Sequence, residues 1–311
     1  MALPKHASTL ERVWHYIYLV ICGVIFTFLI APILIVIPLS FNAEPFFTFT
    51  PKMLALDPEG YSLRWYDLIL TFGMQAPELV RDGSWWADTW NNAAWIKAAK
   101  NSVIIGFFAT ILATVLGTVA ALGLSRPEMP YRRTIMAILI SPMIVPIIIT
   151  ATGLFFFYSS ISIAKWELFG WQIPYLGIIL AHATLGIPFV IITVTATLVG
   201  FDHSLTRAAA SLGANPRTTF FKITMPLILP GVISGALFAF VTSFDEVVAV
   251  LFIGGFNEQT IPRQMWNGIR EQISPAILSV ATILVVFSIF LLATVEILRR
   301  RSERLRGLSP G

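Results

Sequence analysis

The chain has 311 residues, of which 56% are hydrophobic and only 12% charged, with a formal net charge of +4. Soluble domains are about 25% charged, and a mean hydropathy of +0.78 leaves a water-soluble globule far more apolar surface than it can bury. The composition therefore excludes a soluble enzyme and a nucleic-acid-binding module, and it defines an integral membrane protein.

Residues 1–15 form a short polar N-terminus with Lys5 and Arg12. The first long apolar run covers residues 16–39. It exceeds the roughly 7–15 residues of a signal-peptide core, and no small-x-small cleavage pattern follows it. As a helix it crosses about 30 Å of hydrocarbon, so a retained first span is expected. Cys22, the single cysteine, has no disulfide or metal-ligating partner and is expected to act as a small buried hydrophobe.

The polar stretch 41–100 is the longest in the chain and contains Trp65, Trp85, Trp86, Trp90 and Trp95. Aromatic residues at this density suit a helix lying in the headgroup layer. A lid over a partner protein is the alternative. Further spans are expected over residues 102–124, 134–159, 173–199, 227–254 and 275–298. They read as helices, because spanning strands would show short alternating segments instead. Pro32, Pro38, Pro142, Pro146 and Pro188 lie inside spans and are expected to kink them. The freed carbonyls then either line a cavity or simply bend the helix. His182, in the fourth span, is a satisfied interior histidine or a proton relay.

Basic residues set the orientation. With the N-terminus inside, segments 1–15, 125–133, 200–226 and 299–311 hold 13 of the 21 Lys and Arg residues, against 8 in the longer outside segments. Ten acidic residues lie outside and four inside. Both termini are therefore expected on the cytoplasmic side. The organisation is a cytoplasmic N-terminus (1–15), a six-span domain (16–299) and a basic tail (300–311). In the second of these, 41–100 is the periplasmic loop and 200–226 a cytoplasmic loop. The run at 299–306, RRRSERLR, is expected to anchor on anionic lipid, with Glu296 paired or snorkelling beside it.

Segment 207–230 reads RAAASLGANPRTTFFKITMPLILP. Residues 205–212 are strong helix formers with three successive alanines, whose small side chains admit another surface close to the backbone. Gly213 then suits a helix C-cap. Asn215 and Pro216 start a new element. Residues 217–223 continue as a basic amphipathic helix, and Pro226 and Pro230 are expected to break the approach to the fifth span. Two short helices meeting at a glycine make a protruding knob.

This segment resembles the cytoplasmic coupling loop of ABC-importer permeases: Glu-Ala-Ala, three residues, Gly, nine residues, Ile-x-Leu-Pro. The matching positions are Arg207, Ala208, Ala209, Gly213, Ile223, Met225 and Pro226, with Ser211 and Leu212 in the interval. Arg207 stands where the family has glutamate and Met225 where it has leucine. Runs 61–70, 98–106, 243–255, 261–266 and 274–286 are similar to spermidine/putrescine-type permeases, and about twenty residues at 71–90 look like extra length. The resemblance implies an all-α membrane protein with the type I ABC-importer permease fold: six transmembrane helices and a cytoplasmic coupling-helix loop. It further implies a non-catalytic subunit with no cofactor or metal of its own. ATP and magnesium would be used by a cytoplasmic ATPase dimer. A second permease subunit, a periplasmic solute-binding protein and membrane lipid are the other implied partners, and the location is the bacterial inner membrane.

Asp245 and Glu246 form the only acidic pair inside an expected span. A charge at mid-bilayer costs roughly 2.5–3.5 kcal/mol, so it faces water or protein. With Phe240 and Phe244 nearby, the pair suits a path for a small cation such as a polyamine. Capping of a broken helix or bonding to the partner permease would explain it as well. An opine, an amino acid derivative or an aminophosphonate are alternative solutes. A proton-coupled secondary transporter would need no ATPase, and the coupling loop argues against it. A membrane-embedded enzyme would need a catalytic cluster, which one cysteine and four scattered histidines do not supply.

Overall fold

The structure, a computed structural model, describes residues 8–78, 80–126, 128–163, 167–168, 171–172, 174–202, 204–271 and 274–305. Lys5, Lys165 and Arg306, counted above, lie outside them, as do the side chains of Glu296, Arg299, Arg300, Arg301 and Arg304. In chain order the helices begin with α1 (Thr9–Leu39), α2 (Pro51–Leu54), α3 (Arg64–Thr71), α4 (Gly83–Asn92) and α5 (Ala94–Leu124). Next come α6 (Arg132–Ile144), α7 (Ile147–Ser160), a small hairpin of β1 (Glu167–Leu168) and β2 (Trp171–Gln172), and α8 (Leu176–Val199). The remainder are α9 (Ser204–Ser211), α10 (Pro216–Thr219), α11 (Met225–Asp245), α12 (Val248–Ile253), α13 (Ile261–Glu271) and α14 (Ala276–Leu305). The chain divides into two compact units, Met1–Leu79 with Gly268–Gly311, and Val80–Asn267.

In the first unit, α1 starts at a reciprocal cap. The Ser8 hydroxyl accepts the Glu11 N–H at 3.3 Å, and the Glu11 carboxylate accepts the Ser8 N–H at 2.7 Å, satisfying donors that a helix start leaves open. Beyond α1, the Ser279 hydroxyl of α14 donates to the Ser40 carbonyl at 3.1 Å. Tyr66 of α3 meets the Ser40 hydroxyl at 2.7 Å, and Trp65 donates to the Asn42 carbonyl at 2.7 Å. Cys22 is half-buried rather than buried.

The second unit is built on α5, α8 and α11. Its core joins Ile105, Ala109 and Ala113 of α5, Ile178, Val190 and Val194 of α8, and Ile228, Val232 and Ala239 of α11. Small residues bring the helices to backbone distance, the packing that membrane helices use where burial from water gives no driving force. A methyl group on Gly186 would sit 3.0 Å from the Ala239 Cβ and 3.2 Å from the Ala113 Cβ. One on Gly235 would lie 2.8 Å from the Val190 Cα, closer than side-chain carbons approach. Gly235→Val is therefore expected to lower stability by about 1–3 kcal/mol through overpacking. Gly123→Ala, where a methyl meets nothing within 4 Å, is expected to be tolerated. Thermal midpoints of the two purified variants check this; equal midpoints would remove the close-packing account.

Among the described residues, four helices have the length and hydropathy to cross a membrane: Thr9–Leu39, Ala94–Leu124, Leu176–Val199 and the continuous Pro216–Asp245. The expected third span is instead a pair, α6 and α7, bent by 102°. The cause is local. Val145 precedes Pro146 and is extended at ψ 135°, as steric conflict with the proline ring requires. Within α14 the stretch Ala276–Phe290 is apolar.

Two further expectations are corrected. Pro226 and Pro230 do not break the approach to the fifth span. A π turn over Phe220–Thr224, in which the Met225 N–H bonds to the Phe220 carbonyl, shifts the register so that Pro226 falls at the start of α11. There its missing N–H costs little. The fifth span does not run unbroken to residue 254 either. It stops at Asp245, Glu246 is extended at ψ 124°, and a new helix, α12, begins after it.

Candidate functional site

The loop between α8 and α11 folds as its local sequence directs. Asp202 opens it by accepting the Ser204 N–H at 2.8 Å and the Ser204 hydroxyl at 2.6 Å. Helix α9 ends where Gly213 takes φ +82°. There the Gly213 N–H bonds to the Ala210 carbonyl and the Ala214 N–H to the Ala209 carbonyl, both at 3.0 Å. This paired termination satisfies the last carbonyls of a helix and needs a left-handed residue. Asn215 then caps α10 through the Thr218 N–H at 2.8 Å, with Pro216 in the first turn.

The loop residues separate into a buried and an outward set. Ala209 is buried, whereas Arg207, Ala208, Ser211 and Gly213 are exposed. Leu212 is 88% exposed at the tip. Ile223 is half-buried in the π turn and Pro226 exposed at the foot of α11. The Ser211 hydroxyl donates back to the Arg207 carbonyl at 3.1 Å. Arg207 makes no ion pair among the described residues. The knob thus presents an apolar tip rimmed by exposed Arg207, Arg217 and Lys222.

At the other end of α11 the acidic pair is split. Asp245, the last helical residue, is exposed, and Glu246 is buried. The Glu246 carboxylate accepts the Ala249 N–H at 2.9 Å and so holds the start of α12, where the helix dipole favours negative charge. The rings of Phe240 and Phe244 stack 5.6 Å apart on the turn leading to Asp245.

Sequence reading missed the residue that holds the far end of α12. The Arg263 guanidinium, from α13, donates to the carbonyls of Val250 at 3.0 Å, Gly254 at 2.8 Å and Gly255 at 3.2 Å. Burial lowers the Arg263 pKa from its usual value, and the Glu258 carboxylate offsets part of that; an arginine stays protonated throughout. A methyl on Gly254 would lie 2.9 Å from the guanidinium, so that glycine makes room for it. Helix α12 therefore has a carboxyl group accepting at its N-terminus and a cation at its C-terminus, where its dipole favours positive charge.

The segment after α12 is tied to α5. Asn101 donates to the carbonyls of Asn257 and Gln259, each at 2.9 Å, and accepts from the Tyr175 hydroxyl at 2.8 Å. Ser102 accepts the Ile261 N–H at 2.8 Å. The runs 98–106, 243–255 and 261–266, far apart in sequence, meet here. His182 is buried, with Nδ1 2.8 Å from the Ser243 hydroxyl, and its Nε2 has no partner among the described residues.

Residues 113–304 match the model of the binding-protein-dependent transport system inner membrane component family. That match covers more than half of the chain. The chain belongs to this family. Like the spermidine/putrescine transport system permease protein PotC of Haemophilus influenzae, this inner membrane component runs the length of its relatives: the two are 30% identical over 90% of this chain and 95% of that one. The putrescine transport system permease protein PotI of Escherichia coli K12 is 31% identical over 91% of each chain. A chain of a bacterial ABC transporter involved in the import of the acidic polysaccharide alginate superposes with a TM-score of 0.62 at 16% identity, covering 96% of this chain and 99% of that one. At that identity the likeness concerns the fold alone, which is helical throughout its membrane part.

Proposed function

We propose that this inner membrane component is the permease subunit of an ATP-driven importer for a small cationic solute, a polyamine of the spermidine or putrescine kind. The knob at Leu212 and Gly213 is the docking surface for a cytoplasmic ATPase dimer, which supplies the ATP and magnesium chemistry. A second, related permease completes the pore, and a periplasmic binding protein delivers the solute. Both termini face the cytoplasm, in keeping with the basic bias of segments 125–133 and 200–226. Closure of the ATPases draws the knobs together and switches the pore between inward and outward access.

The observation that carries the cationic solute is the exposed Asp245 carboxylate at the broken end of α11. A helix that stops leaves its final carbonyls without intrahelical partners and its C-terminus partly negative. Broken helices of membrane transporters use such ends to meet cations. With the Phe240 and Phe244 rings below, ammonium groups find both a carboxylate and aromatic faces. The names of the polyamine permeases reported above support the same solute.

Uptake of labelled putrescine and spermidine, in cells lacking their own polyamine importers, tests the reading. Asp245→Asn removes the charge and is expected to reduce uptake by about 10-fold or more, since a hydrogen bond to a charged group contributes about 1.5–3 kcal/mol. Glu246→Gln keeps an oxygen that can accept the Ala249 N–H and is expected to stay near wild type. Wild-type kinetics for both variants would end the cation-path assignment. Retention of an opine or aminophosphonate by the co-purifying binding protein would replace the solute and leave the importer class standing.

A further inference from the structure

The five tryptophans of segment 41–100 do not act alike. Helix α4 begins at Asp82, whose carboxylate accepts the N–H groups of Ser84 at 2.9 Å and Trp85 at 3.0 Å. Its burial is sharply two-sided. Trp85 is 1% exposed and Thr89 is buried. Trp86 and Trp90, one turn apart on the opposite face, are 53% and 60% exposed. Trp95 is buried on α5. Only two tryptophans of this helix thus remain available to anything outside the unit.

Their level along α5 is fixed by one side chain. The Lys100 ammonium lies 4.6 Å from the centre of the Trp90 ring and donates to the Trp90 carbonyl. Trp90 is therefore beside Lys100. One turn further along α5, the outward residues become Val103, Phe107 and Phe108, all exposed. These are the first exposed apolar residues of a helix long and apolar enough to cross a membrane. Trp90 consequently stands where the surface of α5 changes from charged to apolar. Ala93, with ψ 122°, turns the chain between the two helices, so α4 does not continue α5 out into water.

We propose that α4 is a membrane-interface helix whose Trp86 and Trp90 sit in the lipid headgroup layer at the N-terminal end of α5. Indole has a broad apolar face and a polar N–H, and tryptophan concentrates at membrane–water boundaries for that reason. Helices of this kind lie in the interface plane with one apolar face. Lys97 and Lys100, on the adjoining turn of α5, suit the phosphates of the same layer. A surface meant for a soluble partner would need its aromatic residues clear of the apolar flank of the span, and here they border it. The anchor fixes the height of α5, and with it the Asn101 and Ser102 hydrogen bonds.

Spin labels test this in the full chain assembled with its partner subunits in phosphatidylethanolamine–phosphatidylglycerol vesicles. With Cys22→Ser as background, labels at Trp86→Cys and Trp90→Cys are expected to collide more with dissolved oxygen than with a water-soluble nickel chelate. A label at Phe107→Cys serves as the lipid reference. Quenching of native tryptophan fluorescence by brominated lipid keeps the test open if the cysteine variants assemble poorly; it is expected to fall in the Trp86→Phe, Trp90→Phe double variant. Labels dominated by nickel, or unchanged quenching, would overturn the proposal. Nickel-accessible labels that become protected only when the solute-binding protein is added would overturn it too, and would assign the face to that protein.

Discussion

Gly213→Asp is expected to abolish ATP-driven uptake while the chain still inserts and assembles in the membrane. Gly213 holds φ +82°, a conformation that costs a residue with a side chain about 1–2 kcal/mol. A methyl there meets nothing within 4 Å, so Gly213→Ala carries the strain alone and is expected to transport at a reduced rate. Aspartate adds a carboxylate beside the apolar tip at Leu212, on a surface that has to be desolvated when a partner docks. A residue at the centre of such a contact commonly carries 2 kcal/mol or more. A combined loss of about 3 kcal/mol lowers occupancy about 100-fold. Cellular uptake, membrane abundance and partner-dependent ATP hydrolysis in the purified complex separate docking from folding. Normal uptake by the aspartate variant would show that the loop is not the docking surface.

Arg263→Gln is expected to release α12. The substitution removes a guanidinium bonded to three carbonyls and leaves them competing for one amide. Hydrogen bonds to a charged donor contribute about 1.5–3 kcal/mol each before compensation, and part of this site is exposed, so a net loss of about 2–4 kcal/mol is expected. Amide hydrogen exchange over residues 248–253 should accelerate, while α8 and α11 keep their protection. Arg263→Lys should recover only part of the effect, because an ammonium cannot present the planar fork of donors. Unchanged exchange in the glutamine variant would mean that packing against α7 and α8 holds α12 by itself.

These two sites differ in how far sequence foretold them. The loop was legible because its rules are local. Three alanines, a glycine at the left-handed position, and Asn215 before Pro216 each act within four residues of their effect. The break before α12 was legible only through the acidic pair, for which capping of a broken helix was one of the readings. Residues 248–253 are as apolar as the rest of the expected span, and hydropathy carries no information on a helix that stops and restarts. What decides it is Arg263, 13 residues beyond Val250, together with Asn101 and Ser102, more than 150 residues away from the segment they tie down. The tryptophans make the same point at smaller scale. Composition counted Trp85, Trp86, Trp90 and Trp95 as one aromatic cluster, and only packing separates the two that face outward. The bend at Pro146 was legible as a kink, but its size of 102° was not. At Pro226 the expected break failed because a π turn absorbs the missing donor, an adjustment with no signature in composition.

The helical rod Pro216–Asp245 runs without interruption. At about 1.5 Å per residue it is about 45 Å long, with the knob beside its first turn and the Asp245 carboxylate on its last. Gly231 and Gly235, where it presses closest on α8, lie near its midpoint. A rod gripped at its middle behaves as a lever with nearly equal arms. Sideways travel imposed at the foot reappears at the tip with similar amplitude and opposite direction, so in the proposed pore of two permeases a stroke that drew the feet together would spread the tips apart.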